Sequence, residues 1–268
     1  LDLIKLGVHP TIIIQGFELA LNECLEQIKL HSRKLNETHR NDIIRTVLSG
    51  KVDSALKERL AFLAIEAANN LEYSGNSRDS EKIRVKRLQL KEGTVMDTEI
   101  IPGLMIAKTR VDISSNSESN EGRIVILDGG FENEKLEIDA EIEISSPGVM
   151  EDFHKQSRKK LEIKIKKLVD EEVDLLIVRD GITDEAISLL TSSGIVAYRR
   201  FEREDIELLS LVTGAKICRD ISRLNSSDVG NYSRRYEEII SEGKFTTIIG
   251  VKNGGMTVAI RGTSPEKR

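Results

Sequence analysis

The stretch VDLLIVRDGITDEAISLLTSSGIVAYRRFEREDIELLSLVTGAKIC, residues 173–218, alternates strand-like with helix-like segments and decides the fold class. The order is strand VDLLIV, helix 184–191, strand GIVAYR, helix 205–212 and strand GAKIC. This alternation favours a βαβαβ unit with its strands parallel in one sheet. The continuous apolar run from Leu175 to Val178 is typical of a strand that is covered on both faces.

Outside this unit, the hydrophobic pattern changes along the chain. Residues 1 to 72 carry apolar side chains at helical spacing, with a helix start at His9-Pro10-Thr11, and predict a helical layer. After residue 80 the pattern has period two and predicts strands, interrupted by Ser114 to Gly122, whose polarity predicts a mobile loop. The final segment FTTIIGVKNGGMTVAIRG is interpreted as a hairpin around Asn253-Gly254. The predicted class is α/β, and α+β overall.

Composition and charge argue against several function classes. The 268 residues carry a net charge of −5, so there is no domain-wide positive field for nucleic acid. Cys24 and Cys218 form no metal-ligand spacing with the four histidines, and no metal site is predicted. No apolar run is long enough to predict a membrane span, and two lone thiols suit the reducing cytoplasm.

A long helix is predicted from Pro147 to about Glu172, with a gap in its apolar stripe. Between Phe153 and Leu161 the segment HKQSRKK contains no apolar residue. A helix that lies on a core needs an apolar residue near position 157, where this chain has Ser157. About two turns are therefore expected to project from the body of the protein into water.

Two motifs raise the question of phosphate binding. Ser49-Gly50-Lys51 ends like a P-loop, but no glycine stands five residues before Gly50 and Val52 follows the lysine, so the P-loop interpretation fails. Arg199-Arg200 lies at a predicted strand end and is a candidate for binding phosphate. The favoured alternative there is a salt bridge to Glu202, Glu204 or Asp205.

The segment RDGITDE and the helix that contains its end each allow two interpretations. Its carboxylates could form an acidic site, but a turn at Asp180-Gly181 and a helix start near Asp184 are favoured. In the helix at 184–193, the apolar residues Ile187, Leu189 and Leu190 are not confined to one narrow stripe. Exposed aliphatic surface on this helix would bind proteins, and plain core packing is an equally open alternative.

The order of these motifs resembles a group II chaperonin subunit of the thermosome or TRiC type, and the chain looks like a divergent, archaeal member. The resemblance covers nearly the whole chain in family order. It rests on GVHPTIIIQGFELAL at 7–21, LSGKVDSALKERLAFLAIEA at 48–67, EIIPGLMI at 99–106, LEIDAEIEISSP at 136–147, GITDEAISLLTSSGIVAYRRFEREDIELLSLVTGAKI at 181–217, LNSSDVGN at 224–231 and GVKNGGMTVAIRG at 250–262.

The resemblance implies a division into domains. Residues 1–96 and 256–268 correspond to a helical intermediate domain with a β-hairpin, and 97–255 to an apical domain with a βαβ-type sheet and a protruding lid helix. The family's ATP-binding GDGTT loop and catalytic aspartate have no counterpart in this sequence. ATP and Mg²⁺ are therefore expected in the full-length protein, no cofactor is expected on this chain alone, and no catalytic residue is assigned.

The resemblance also implies site residues. Gly50-Lys51 matches the family's nucleotide-sensing loop, whose lysine reaches toward the γ-phosphate. In the family, the unfolded proteins that a chaperonin folds, called its clients, bind to the helix matching 183–193 and to a proximal loop. This points to Ile187 and Leu190 as client contacts, together with Met150 and Phe153 on the lid helix. The stretch aligned with the proximal loop, VDISSNSESNEG at 111–122, lacks the family's proline and methionine.

The implied function is that of a molecular chaperone. It would bind unfolded or partly folded proteins and, in a full-length ATP-driven double ring of like or unlike subunits, enclose them for folding. The alternative is a free-standing, ATP-independent holdase or scaffold. An unrelated α/β hydrolase or NTPase would need a phosphate loop or nucleophile elbow, which the sequence lacks. Neither nucleic acid nor a membrane is an expected partner, and the expected location is cytoplasmic.

Overall fold

A computed structural model of the protein describes residues 2–34, 36–71, 84–132 and 147–262, with the backbone alone for 37–38 and 147–154. The chain divides into two compact units, residues 1–49 and 50–268. The first unit contains the helices α1 (Asp2–Lys5), α2 (Pro10–His31) and α3 (Glu37–Leu48). Helix α2 begins as predicted, because Pro10 occupies its first position and His9 Nδ1 accepts a hydrogen bond from the amide of Thr11.

The second unit combines helices with two sheets. Its helices are α4 (Ser54–Asn70), α5 (Pro147–Asp170), α6 (Asp184–Ser192) and α7 (Arg203–Thr213). Its strands are β1 (Val85–Leu90), β2 (Glu99–Ile101), β3 (Gly103–Ile106), β4 (Gly122–Leu127), β5 (Leu175–Val178), β6 (Val196–Tyr198), β7 (Ile217–Cys218), β8 (Gly230–Ile240), β9 (Gly243–Gly250) and β10 (Met256–Arg261). One sheet has the order β1-β10-β2; the other runs β3-β9-β8-β4-β5-β6, with β7 also paired to β4.

The stretch 173–218 folds as the sequence predicts. Strand β4 pairs in parallel with β5 and with β7, and β5 pairs in parallel with β6. Ile124 and Ile126 of β4 point into an apolar cluster with α7. Val125 and Leu127 point the other way, into a cluster with α5 and α6. Helices therefore cover both faces of the parallel strands, which explains their continuous apolar sequence.

The prediction of a hairpin around Asn253-Gly254 is wrong. Strand β9 lies between β3 and β8, whereas β10 lies between β1 and β2 in the other sheet. Residues 251–255 carry the chain across beside α7: the amide of Lys252 donates to the carbonyl oxygen of Val212 at 2.9 Å. A Cβ on Gly250 would come within 2.2 Å of the same oxygen. The helix packs against this crossing, and a contact so distant in sequence leaves no sign in the local Asn-Gly pattern.

Helix α5 supports the prediction of turns that project into water. Lys155, Gln156 and residues 158–160 are exposed, and Ser157 is half-buried. From Leu161 onward the helix buries Ile165 and Leu168 against the sheet. The segment KLEIDAEIEIS at 135–145, whose alternating pattern predicts a strand, lies outside the described residues.

A buried ion pair joins the three-stranded sheet to α7. The ammonium group of Lys86, on β1, contacts Asp205 Oδ1 in the first turn of α7. The Asp205 side chain is only 5% exposed and that of Lys86 is 26% exposed. The second carboxylate oxygen of Asp205 is buried and has no hydrogen-bond partner in the described part of the chain. Lys86 is therefore the counter-ion of a carboxylate that is otherwise enclosed by the fold.

A second, half-buried carboxyl group lies where β5 begins. The hydroxyl of Tyr232 donates to Asp174 Oδ2 at 2.7 Å, beneath Gly122. Burial raises the pKa of Asp174, and the hydrogen bond from Tyr232 opposes part of this effect. Burial also raises the pKa of Tyr232 to about 12. The fold therefore holds the proton of Asp174 more tightly than the unfolded chain does.

Asp174→Asn is expected to stabilise the protein at neutral pH. A carboxyl with a raised folded pKa contributes its stability below the unfolded value of 3.8 and loses it as the pH rises through the folded pKa. Asparagine keeps an acceptor for Tyr232 without the buried charge. Denaturation of both proteins from acidic to neutral pH should show a stability difference that grows with pH. A difference that does not vary with pH would contradict this account.

Candidate functional site

Helix α6 presents its two predicted contact residues differently. Leu190 is completely buried in the cluster that α5 and α6 form with the sheet. Ile187 is partly exposed and packs at the edge of the same cluster. In this conformation Leu190 serves the core, because it has no surface to offer a partner. Of the two, only Ile187 remains a candidate contact.

A loop at 107–121 runs beside α6. The amide of Val111 donates to the carbonyl of Ala197 at 2.9 Å. The pKa of Asp112 is lowered by hydrogen bonds from Ser114 and, after these, from the hydroxyl of Thr191 on α6. Thr191 lies one helical turn after Ile187 and so shares its face. The next loop residue, Ile113, is 78% exposed. Sequence reasoning missed Ile113, whose isolation in a polar stretch was its only signal.

Hydrogen bonds tie residues 116–119 of this loop to strand β8. Ser119 and Arg235 exchange backbone hydrogen bonds of 2.8 Å. The guanidinium group of Arg235 donates to the carbonyl oxygens of Asn116 and Ser117 at 3.0 and 3.3 Å. Arg234 pairs with Glu118 at 2.7 Å. The stretch predicted as a mobile loop is therefore a hydrogen-bonded layer over the sheet.

A buried polar network lies under the loop. Arg235 is only 2% exposed, and its guanidinium group donates to the hydroxyl of Tyr198 at 3.2 Å. That hydroxyl donates to Glu237 Oε1 at 2.9 Å, and the guanidinium of Arg110 contacts Glu237 Oε2. Arg110 also donates to the carbonyl of Ile113 at 2.9 Å. The network fixes the backbone at the exposed Ile113.

Helix α5 lies against α6 on its other side. The guanidinium of Arg158 lies 3.8 Å from the carboxylate of Glu185 and 3.1 Å from that of Glu162. Met150 and Phe153, the predicted lid contacts, belong to the first turns of α5, and their side chains lie outside the described residues. Their role remains a prediction.

The loop Gly50-Lys51 opens the second unit and leads into α4. Gly50 has φ +74°, a left-handed conformation that glycine adopts without strain. Asp53 caps α4 by accepting from the amide of Leu56 at 2.9 Å. Lys51 is exposed, and its ammonium group has no ion pair or hydrogen bond with the described residues of its own unit. A nucleotide-sensing role for Gly50 and Lys51 stays a prediction.

The salt bridges favoured for Arg199-Arg200 are absent among the described residues. Arg199 donates to the carbonyl oxygen of Ile182 at 3.3 Å. Arg200 is exposed, and its side chain has no partner in the described part of the chain. Asp205 pairs with Lys86 instead. The acidic site considered in RDGITDE is not formed either, because Asp180 pairs with Arg179 at 3.0 Å, which lowers the pKa of Asp180.

Two kinds of feature do not occur among the described residues. None of their helices is long and apolar enough to cross a membrane. Groups of three or more His, Cys, Asp or Glu side chains placed to hold a metal ion do not occur among them.

Comparison with known proteins identifies the family. Residues 1–267 match the TCP-1/cpn60 chaperonin family. The chain is 31% identical over 265 residues to the thermosome subunit alpha of Thermoplasma acidophilum, and 31% identical over 265 residues to the thermosome subunit beta of Aeropyrum pernix. Each match covers 97% of this chain and 48% of the relative, so the chain spans about half the length of the curated relatives it matches.

The fold agrees with these sequence matches. The chain is similar to an open-state monomer of a group II chaperonin from Methanococcoides burtonii, with a TM-score of 0.67 and 24% identity, over 99% of this chain and 61% of that one. The resemblance drawn from the sequence motifs is thereby confirmed. The chain belongs to the TCP-1/cpn60 chaperonin family.

Proposed function

We propose that the chain forms the client-binding and hinge parts of an ATP-driven molecular chaperone. Residues 97–255 would be the apical domain, which binds unfolded or partly folded proteins. Residues 1–96 and 256–268 would be the intermediate domain, which relays the nucleotide state. In the full-length protein, subunits would form a double ring that encloses clients, with no role for nucleic acid or membrane.

ATP and Mg²⁺ would bind to the full-length protein and not to this chain alone. Lys51, exposed beside a left-handed Gly50, would contact the γ-phosphate held by another domain. Loss of that phosphate would remove the contact and free the intermediate domain to move. Rigid-body rotation would then occur at the two points where the chain crosses between these proposed domains, near residues 96 and 255.

The pair of aliphatic side chains at α6 carries the client-binding proposal. Ile187 is partly exposed on α6, and Ile113 is 78% exposed on the adjoining loop. The loop is held by Arg110 and Arg235, so Ile113 is presented on an ordered backbone. Exposed aliphatic surface on ordered elements suits a partner that itself exposes apolar segments. Met150 and Phe153 would extend this surface along α5.

The double variant Ile113→Ser/Ile187→Ser is expected to lose most of its ability to suppress client aggregation. Its apolar contact area would fall while the buried cluster around Leu190 stays intact. The measurement is light scattering after a chemically denatured client is diluted into buffer with this chain, with and without ATP. The matched control is Ile239→Ser, which removes an isoleucine that is 70% exposed on β8.

Each outcome of this assay has a defined meaning. Suppression that ATP does not change, and that the double variant alone abolishes, supports the proposal. Equal suppression by the double variant and the control would reject this surface. No suppression by the parent chain at several-fold excess would reject client binding by this chain alone. Suppression that ATP reverses would contradict the assignment of the nucleotide site to another domain.

A further inference from the structure

A cleft opens at the carboxyl ends of β5 and β6. After β5 the chain turns toward α6, on one face of the sheet, and after β6 it turns toward α7, on the other face. The two loops therefore diverge and leave a space between them. In open α/β sheets, ligands bind in this crevice, where neighbouring connections leave in opposite directions.

The cleft measures about 400 Å³ and is rich in arginine. The lining residues are Arg179, Asp180, Gly181, Arg200, Phe201, Glu202 and Arg203. Arg179 is already engaged, with Asp128 at 2.6 Å and Asp180 at 3.0 Å. Arg203 uses its Nε to contact Glu207 at 2.9 Å, which leaves its terminal nitrogens available. All the donors of the Arg200 guanidinium are available, since its side chain has no partner in the described part of the chain.

The backbone beside the cleft carries further donors that have no acceptor among the described residues. Arg200 has φ +63°, a left-handed conformation that is uncommon for a residue with a side chain. Strain of this kind clusters at ligand sites. The amides of residues 201–204, which follow it, have no acceptor among the described residues, and Glu202 does not cap α7 with its side chain. Successive backbone amides in a turn conformation can form concavities that bind anions.

We propose that this cleft binds a phosphate group, either as the free anion or as a phosphate monoester. Arg200 and Arg203 would supply bidentate donors from two sides, and the amides at the start of α7 would supply a third set. A tetrahedral oxyanion has enough acceptor oxygens for all three sets, whereas a carboxylate has two oxygens in one plane. This chemistry goes beyond client binding and does not depend on it.

The two acidic residues that line the cleft, Asp180 and Glu202, affect its affinity for phosphate differently. Asp180 is neutralised by Arg179, with bonds of 3.2 and 3.0 Å. Glu202 is exposed and has no such partner in the described part of the chain. Its carboxylate would repel a bound phosphate. Glu202→Gln should therefore strengthen binding by a few fold, which would distinguish a site in this cleft from binding to surface arginines elsewhere.

The test is calorimetric titration of the 268-residue chain with inorganic phosphate at constant ionic strength. Arg200→Gly is expected to weaken binding about tenfold or more, because charge-assisted hydrogen bonds are lost, and to leave stability unchanged or improved, because glycine accepts the left-handed backbone. Arg223→Gln removes an arginine on the surface, and Ser241→Gly relieves another left-handed residue, at φ 55°. Both controls should bind as the parent does.

Phenyl phosphate and acetate complete the experiment. Tighter binding of phenyl phosphate assigns the site to phosphate esters, and tighter binding of inorganic phosphate assigns it to the free anion. The proposal is overturned if the parent chain shows no saturable binding, if acetate binds as tightly as phosphate, or if Arg200→Gly binds like the parent.

Discussion

Lys86→Met is expected to lower the free energy of unfolding of the second unit by about 3–5 kcal/mol, because it leaves a buried charge without its counter-ion. Asp205 is 5% exposed, and its other carboxylate oxygen already lacks a partner among the described residues. Methionine fills the volume of the lysine stem, so the loss reports the charge and not a cavity. The paired residues connect the three-stranded sheet to α7, so the substitution should weaken the packing of this sheet against the helix.

The measurement is chemical denaturation, followed by a probe within residues 50–268. Lys216→Met is the matched control: its lysine also pairs with an aspartate, Asp228, at 2.9 Å, but it is 63% exposed, so about 1 kcal/mol or less should be lost. The double variant Lys86→Met/Asp205→Leu should recover most of the stability, since no unpaired charge remains. A Lys86→Met loss no larger than that of the control would show that Asp205 finds solvent in the folded protein.

Arg235→Leu is expected to cost about 2–4 kcal/mol and to release the loop at 107–121. Its removal leaves the carbonyl oxygens of Asn116 and Ser117 without their donor and takes one hydrogen bond from Tyr198. The loop should then become a substrate for proteases, because its attachment to β8 is weakened. Denaturation gives the stability, and limited proteolysis with mass spectrometry gives the site of cleavage.

The neighbouring Arg234 offers a close control. It pairs with Glu118 in the same loop, but both side chains are 53% exposed. Arg234→Leu should therefore cost less than about 1 kcal/mol and leave the loop resistant. If the two variants behave alike, burial of Arg235 is not what holds the loop. Client binding through Ile113 should fall in Arg235→Leu and persist in Arg234→Leu.

Much of the secondary structure of the second unit can be predicted because the hydrophobic pattern that specifies it is local in the sequence. The parallel strands and helices of 173–218 follow from short apolar runs separated by amphipathic segments, and each is found where the sequence places it. The final hairpin fails for the opposite reason. Asn-Gly between two alternating runs is a valid turn signal, but the close approach of α7 to Gly250 sends the second run into another sheet.

The candidate sites show the same limit. Sequence spacing cannot separate Ile187 from Leu190, because both are aliphatic and only three residues apart on a short helix; the packing of α5 and the sheet buries one and leaves the other partly open. Arg200 has acidic neighbours in sequence, which favoured a salt bridge. The left-handed backbone at this residue is not a feature that its neighbours in sequence predict, and the structure leaves its side chain unpaired within the described chain.

The three-stranded sheet also sets an order of events during synthesis of the chain. Strand β1 leaves the ribosome long before β10, its parallel partner, and pairing across so long a separation is slow. The segment from β3 to β9 begins and ends side by side, since Gly103 faces Ile249, and can close on itself first. Until then β1 would have two open edges, and charged side chains such as Lys86 and Arg87 are of the kind that disfavours pairing of an open edge with another chain. Lys86, which pairs with Asp205 in the folded protein, would then also disfavour aggregation before folding is complete.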